Sequence, residues 1–390
     1  MKRFAALIAR EFRLFFSNNV AVLILFGAPL AYGLFFGFVY YKGVATDLPV
    51  AVVDMNSTTT SRMLIDAIDD NQHVAVQRVV PDISMLAHEM LSGEIVAVVS
   101  IPERFEQDVL MQRSPALILD VSATNIVNAN FAIKGIRTSL ETINAGMQIE
   151  GLRKQGVPAE LASQQFQAFS IQTMNRFNPS LNYLIFLYPG LLATILQQVM
   201  LLGLALSFSK EYEEDTFREL TRQTRSPLLI LLVKSLPYLF MGWMIWMFCL
   251  HVMLYGFGVP MAGSWSVLYG ISALFILAVT ALGILVSAVI PNQLKATEVL
   301  MVIATPAFII SGFTWPLSQM PDWVGWAASV IPLTHFLEAL RNIMLAGAGW
   351  EHILPEARVL FILTVIPVAA AWIVVRLKVK QALNSESDSN

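Results

Sequence analysis

The chain carries one cysteine, Cys249, among its 390 residues, so no intramolecular disulfide is open to it. Charge is almost as scarce. Asp, Glu, Lys and Arg make up 14% of the residues and apolar types 56%, whereas a soluble domain carries about 25% charged residues. That balance points to a membrane. The net charge of −3 supplies no basic surface for nucleic acid. No Gly-Lys dipeptide occurs, which excludes the phosphate-cradling P-loop. A Gly-x-Ser-x-Gly nucleophile elbow is missing as well. "HEMLS" at His88 has Ser92 where a zinc-binding helix needs its second histidine, so His88 reads as a surface residue. Cys249 lies inside an apolar run and reads as a small apolar side chain. The residues thus offer no catalytic group, no metal ligands and no cofactor site.

What the chain does have is long apolar runs. A spanning helix needs about 20 mainly apolar residues. Six stretches qualify: 20–41, 182–208, 229–257, 266–290, 299–315 and 359–375, the fifth short and interrupted by Pro306. The first is too long for a cleaved signal peptide and carries Pro29 and large aromatics, so it reads as an uncleaved anchor. Before it, Phe4, Ile8 and Phe12 share one helical face and Arg3, Arg10 and Arg13 another. That pattern suits an interfacial helix over 1–19; a plain extension of the first span is the alternative. Lys and Arg set the orientation. They gather before the first span (Lys2, Arg3, Arg10, Arg13), around the second connection (Lys210, Arg218, Arg222, Arg225, Lys234), at Lys295 and after the last span (Arg376, Lys378, Lys380). Both termini are therefore expected in the cytoplasm, with a tail over 377–390 whose polar end, "NSESDSN", reads as disordered.

Between the second and third runs the chain becomes "SKEYEEDTFRELTRQTRSP", residues 209–227. Its nine charges, at about 2.5–3.5 kcal/mol each, would cost on the order of 20–30 kcal/mol at the bilayer centre. The strip must lie in the cytosol. Acidic residues lead and basic ones follow, matching a helix dipole, and Tyr212, Thr216, Phe217 and Leu220 form a narrow, less polar face. A helix over 210–226 is expected.

Residues 42–181 face the other side. "PVAVVD", "HVAVQRVV", "EIVAVVSIP" and "ALILDVS" read as strands separated by amphipathic helical stretches, an inserted α/β domain with a partly parallel sheet. From Ala123 the composition turns helical, through "NFAIKGIRTSLETINAGMQIEGLRKQG" and "AELASQQFQAFSIQTMN", as a stalk returning to the membrane at Asn178 and Pro179. The fold class is thus mainly α and polytopic, with about six spans and an extracytoplasmic α/β insertion after the first; the other five occupy 182–376. Thr194, Gln197 and Gln198 lie mid-span and serve either interhelical hydrogen bonding or a substrate pathway. After the fifth span, 316–350 is too polar to cross yet holds Trp323 and Trp326 just beyond Trp315. It reads as two short helices dipping into the outer leaflet, capped by Asp322 and Thr334, with Glu338 and Arg341 on a polar side; an external loop is the plainer alternative.

Two segments, "KEYEEDTFREL" followed by "SPLLILLVKSLPY", and "SGFTWPLSQMP" followed by "IPLTHFLEALRNIMLAG", resemble type-2 exporter permeases of the ATP-binding-cassette (ABC) superfamily, in the branch with a large external domain after the first span. The similarity spans essentially the whole chain. It implies a bacterial inner-membrane permease without ATPase activity of its own, working with separate ABC ATPase subunits that bind ATP and Mg. It also implies a second permease, identical or a close paralogue, with a periplasmic adaptor left open. Under that resemblance the strip is the coupling helix, and Glu211, Glu213, Glu214, Thr216, Phe217, Arg218, Glu219 and Leu220 are its ATPase-coupling residues. Asp215 stands where the family usually carries glycine, which leaves the local turn geometry open. The cargo implied is lipophilic or drug-like, a lipid or a polymer, moved outward. Two rivals remain: an ion-driven secondary transporter, for which inverted halves and membrane-embedded carboxylates are wanting, and a membrane-anchored receptor or scaffold that uses the external domain.

Overall fold

A computed structural model describes residues 2–111, 113–154, 158 and 176–387. Two units emerge, one of residues 1–43 with 175–390 and one of residues 44–174.

In the first unit, helix α1 (Lys2–Phe16) precedes a span running from Asn19 to Val39. That span consists of α2 (Asn19–Val22), a widened turn over Leu23–Gly27 and α3 (Ala28–Val39). Pro29 has no N–H to give the helical ladder, and the wide turn lies just before it. The remaining spans are α8 (Tyr183–Glu213), α10 (Pro227–His251, continued by a wide turn to Gly256), α11 (Trp265–Val289), α12 (Gln293–Ile310) and the long α15 (Trp350–Ser387). Among the described residues six helices are therefore long and apolar enough to cross a membrane. Helix α8 is the hub. Of its most apolar 18-residue stretch 78% is buried, against 22% for the first span and α12 and 17% for α15. The last three leave much of their apolar surface uncovered, as lipid-facing helices do.

Several boundaries differ from the sequence reading. The fifth span begins at Gln293, not Val299, because the Asn292 side chain caps the helix by accepting from the Lys295 N–H (2.9 Å). It ends at Ile310 and runs through Pro306 without stopping. The sixth continues to Ser387, into the tail that composition marks as disordered. The segment after α12 does form two short helices, α13 (Asp322–Ser329) and α14 (Pro332–Ala346). Neither Asp322 nor Thr334 caps them. Asp322 is already the first helical residue after Pro321, and α14 begins with a proline, which has no N–H to cap. Thr334 is buried instead, its hydroxyl without a hydrogen-bond partner. Arg341 turns from the expected polar side onto the Phe313 ring, 4.1 Å away, and donates to the Phe313 carbonyl.

The second unit holds a four-stranded sheet in the order β2-β1-β3-β4. Strand β1 (Leu48–Asp54) pairs in parallel with β2 (Val74–Val80) and β3 (Ala97–Ile101), and β4 (Ile118–Val121) joins antiparallel to β3. These are the four β-branched runs. Strands β1 and β3 are buried along nearly their whole length, as central parallel strands must be. Helices α4 (Thr59–Asp69), α5 (Ala87–Ser92), α6 (Phe105–Leu110) and the 29-residue α7 (Ile126–Lys154) accompany the sheet among the described residues. The second helical stretch read from the sequence, 159–175, lies outside the described residues. Where the first span ends, Gly43 adopts φ +67° and its carbonyl accepts from the Tyr183 N–H (2.6 Å). A Cβ there would fall 2.2 Å from the Asn182 side chain, so only glycine lets the two strands of chain meet.

Candidate functional site

The polar strip is not one rod. Helix α8 carries on through Lys210, Glu211 and Glu213; the chain then breaks at Glu214–Thr216 and re-forms as the seven-residue α9 (Phe217–Gln223). The break turns on Asp215, whose φ of +55° is left-handed. Glycine takes that conformation freely, and aspartate tolerates it better than most residues. The departure from the expected glycine therefore preserves the turn.

A seven-residue helix is too short to persist alone in water. Packing holds this one. Phe217, Leu220 and Thr221 are buried, while Glu214, Arg218, Glu219 and Arg222 lie on the exposed side. Phe217 sits 5.0 Å from the Tyr212 ring and 6.4 Å from Phe208, centroid to centroid. Lys378 of α15 lies over the other partner, 5.0 Å from the Tyr212 ring. Burying one Phe and one Leu side chain contributes about 1.5–3 kcal/mol each, enough to fix a helix that propensity alone would not.

Glu211 is not on the exposed side. It is 2% exposed and forms the centre of a four-charge cluster with Arg10 and Glu11 of α1 and Lys234 of α10. Lys234, 1% exposed, donates to Glu211 (2.6 Å) and Glu11 (2.8 Å). Arg10 reaches both oxygens of Glu211 (2.7 and 3.2 Å) and one of Glu11 (2.9 Å). The Thr216 hydroxyl completes the set, donating to Glu211 at 2.7 Å. Two positive and two negative groups balance, which is the condition for keeping charges out of water. Burial alone would lower the pKa of Arg10; its hydrogen bond to Glu211 and the two neighbouring carboxylates outweigh that and raise it above its ordinary value. A cavity of about 70 Å³ adjoins the cluster, with Asn18, Ser207, Lys210 and Tyr238 in its wall.

Two residues on, the helix presents its opposite face. There Glu213 accepts from the Asn292 side chain (2.7 Å), the Gln293 backbone N–H (3.0 Å) and the Gln293 side chain. One turn earlier the Ser287 hydroxyl of α11 accepts from the N–H groups of Phe208 (2.8 Å) and Ser209 (3.1 Å), and Ser209 donates to the Ile290 carbonyl (2.7 Å). The end of α8 is thus tied on one side to α1 and α10, and on the other to the corner between α11 and α12.

Of the residues assigned to ATPase coupling, Glu211 and Glu213 therefore bond within the chain, Phe217 and Leu220 anchor α9, and Thr216 bonds Glu211. Glu214, Arg218 and Glu219 remain on the open surface. Sequence reading missed Glu11 altogether, placed Arg10 on the polar face of the interfacial helix and counted Lys234 only as a charge of the second connection. Lys234 lies inside the α10 span and is buried. The signals were present: Glu11 shares a helical face with Leu7 and Phe15, and Lys234 follows six apolar residues after Pro227. Thr194, Gln197 and Gln198 stay within α8. Thr194 donates to the Gly190 carbonyl (2.7 Å), Gln198 is half-buried, and Gln197 is buried with neither amide atom hydrogen-bonded. Among the described residues no group of three or more His, Cys, Asp or Glu is placed to hold a metal ion.

Six candidate spans, a short helix pinned against the end of α8 and a sheet-bearing insertion define a multi-pass membrane protein. The chain belongs to the ABC-2 transporter family, described as ABC-2 family transporter protein, whose match covers residues 20–373. It is 31% identical over 307 residues to the probable multidrug ABC transporter permease YbhS of Escherichia coli K12, covering 76% of this chain and 74% of that one. It is 26% identical over 205 residues to the probable multidrug ABC transporter permease YbhR of the same strain (53% and 56% covered). A third E. coli K12 relative, the inner membrane transport permease YhhJ, is 23% identical over 333 residues (84% of each). The protein is the membrane subunit of an ABC transporter, and membership implies partnership with ABC ATPase subunits.

Proposed function

We propose that this chain is the permease of an ATP-driven exporter in a bacterial inner membrane. Two copies, or this chain with a close paralogue, form the pathway, and separate ATPase subunits carrying ATP and Mg dock beneath it. Both termini and α9 lie in the cytoplasm, and residues 42–181 lie outside; a periplasmic adaptor on that side stays open. The observation that carries the reading is the mounting of α9. Its polar side is open, its apolar side is pinned by Phe217 and Leu220, and its root at Glu211 is shared with α1 and α10. A helix so fixed converts a push on its exposed side into displacement of spans rather than bending of a loop. In this reading Glu214, Arg218 and Glu219 meet the ATPase. Of the cargo classes, drug-like molecules draw support from the two relatives named as probable multidrug permeases, and lipids and polymers stand as alternatives.

The test is reconstitution with the cognate ATPase in inside-out vesicles. ATP-dependent accumulation of a lipophilic cationic dye within them is expected. Accumulation that ignores ATP and follows an imposed ion gradient would contradict the reading. A receptor function finds its support in a groove of about 720 Å³ in the inserted unit, walled by Phe105, Val109, Leu117, Ile143 and Met147. That volume suits a drug-sized ligand. Saturable ligand binding by a chain that never associates with an ATPase would favour it.

A further inference from the structure

The family resemblance places Glu213 among the ATPase-coupling residues, but both of its carboxylate oxygens already have partners within the chain. Those partners sit at the start of α12. Gln293 is its first residue, and its backbone N–H is one of the donors a helix leaves unpaired at its N-terminus. A carboxylate is favoured there by hydrogen bonding and by the helix dipole together. The bond is one of three ties at the same corner, since Ser287 and Ile290 hold Ser209 one turn earlier. Helix α12 is also the least buried of the second to fifth spans, at 22% against 50–78% for the others. Most of its packing within the chain runs along α8 itself, and its tie to the end of α8 lies four residues before the start of α9.

We infer that Glu213 is a positioning residue, a latch that makes the fifth span follow the coupling helix. The inference rests on α9 being the ATPase-coupling element. Under it, ATPase closure moves α9, the turn at Asp215 carries the end of α8, and Glu213 draws the start of α12 along. Docking does not depend on Glu213; transmission to the fifth span does.

The experiment uses the full-length chain with its cognate ATPase in lipid nanodiscs. Spin labels are placed at Phe240→Cys and Val302→Cys, both exposed on α10 and α12, in a Cys249→Ala background. Labelled chains are diluted with unlabelled ones so that only distances within one chain register. ATP is expected to shift the 240–302 distance in the parent. Glu213→Ala is expected to co-purify with the ATPase while the shift falls by at least half. Glu213→Gln, whose amide oxygen still accepts from the Gln293 N–H, restores most of it. An unchanged shift in Glu213→Ala overturns the latch, and so does loss of ATPase co-purification, which would make Glu213 a docking contact. A parent chain that recruits no ATPase overturns the coupling reading itself, and the latch with it.

Discussion

Replacing Lys234 with methionine isolates what the charge cluster does. The side chain volume is nearly kept, and the ammonium that bridges Glu11 and Glu211 is lost. Two buried carboxylates then share Arg10 alone, leaving an uncompensated negative charge. Breaking a buried ion pair from one side costs about 3–5 kcal/mol. Helix α1 relieves that strain by leaving: it carries Arg10 and Glu11 into water together and opens Glu211 to solvent, so no carboxylate stays buried without a partner. At 1.4 kcal/mol per tenfold, the undocked fraction of α1 rises by about two to three and a half orders of magnitude. The assay is maleimide labelling of Leu7→Cys, a buried α1 position, in a Cys249→Ala background that removes the native thiol. Labelling should accelerate at least 100-fold in Lys234→Met. Adding Glu11→Gln, which restores charge balance, should return most of the protection, since contacting residues are not additive. A labelling rate unchanged by Lys234→Met would refute the claim that the cluster holds α1 in place.

Three further outcomes follow from packing and backbone geometry. Phe217→Ala removes the aromatic anchor of α9 at a cost of about 3–5 kcal/mol; the ATPase should co-purify in markedly lower yield while the permease still inserts. Asp215→Gly should retain full ATPase recruitment and Asp215→Val should lose it, because φ +55° is open to glycine and strained for a β-branched residue. Gly263→Ala would bring a Cβ within 2.6 Å of the Ile343 carbonyl oxygen, a backbone atom with little freedom to yield. It should lower the thermal aggregation temperature by more than Gly242→Ala, which meets only the flexible Met200 side chain.

Much of the fold was legible because lipid imposes a strong rule on sequence. Six apolar runs gave six spans, and four β-branched runs gave four strands. The boundaries that slipped did so where a side chain overrode hydropathy. Asn292 starts α12 six residues before its apolar stretch, and Pro332 opens α14 without the cap expected of Thr334. The site was legible only in outline. Charge density marked the strip, but charge alone does not say which way a side chain points. Glu211 and Glu213 are two residues apart and face opposite partners. Glu11 and Lys234 meet across 223 residues of chain, a pairing that local periodicity cannot carry. Counting Lys234 for topology hid that it is buried.

The account depends most on α9 being gripped by an ATPase from the cytoplasm. Arg218→Cys, on its exposed side and in the Cys249→Ala background, is the direct probe. In intact cells it should resist a membrane-impermeant maleimide, and in inside-out vesicles it should cross-link to the co-expressed ATPase in an ATP-sensitive manner. Labelling of Arg218→Cys from outside intact cells, with no cross-link to the ATPase, would contradict it.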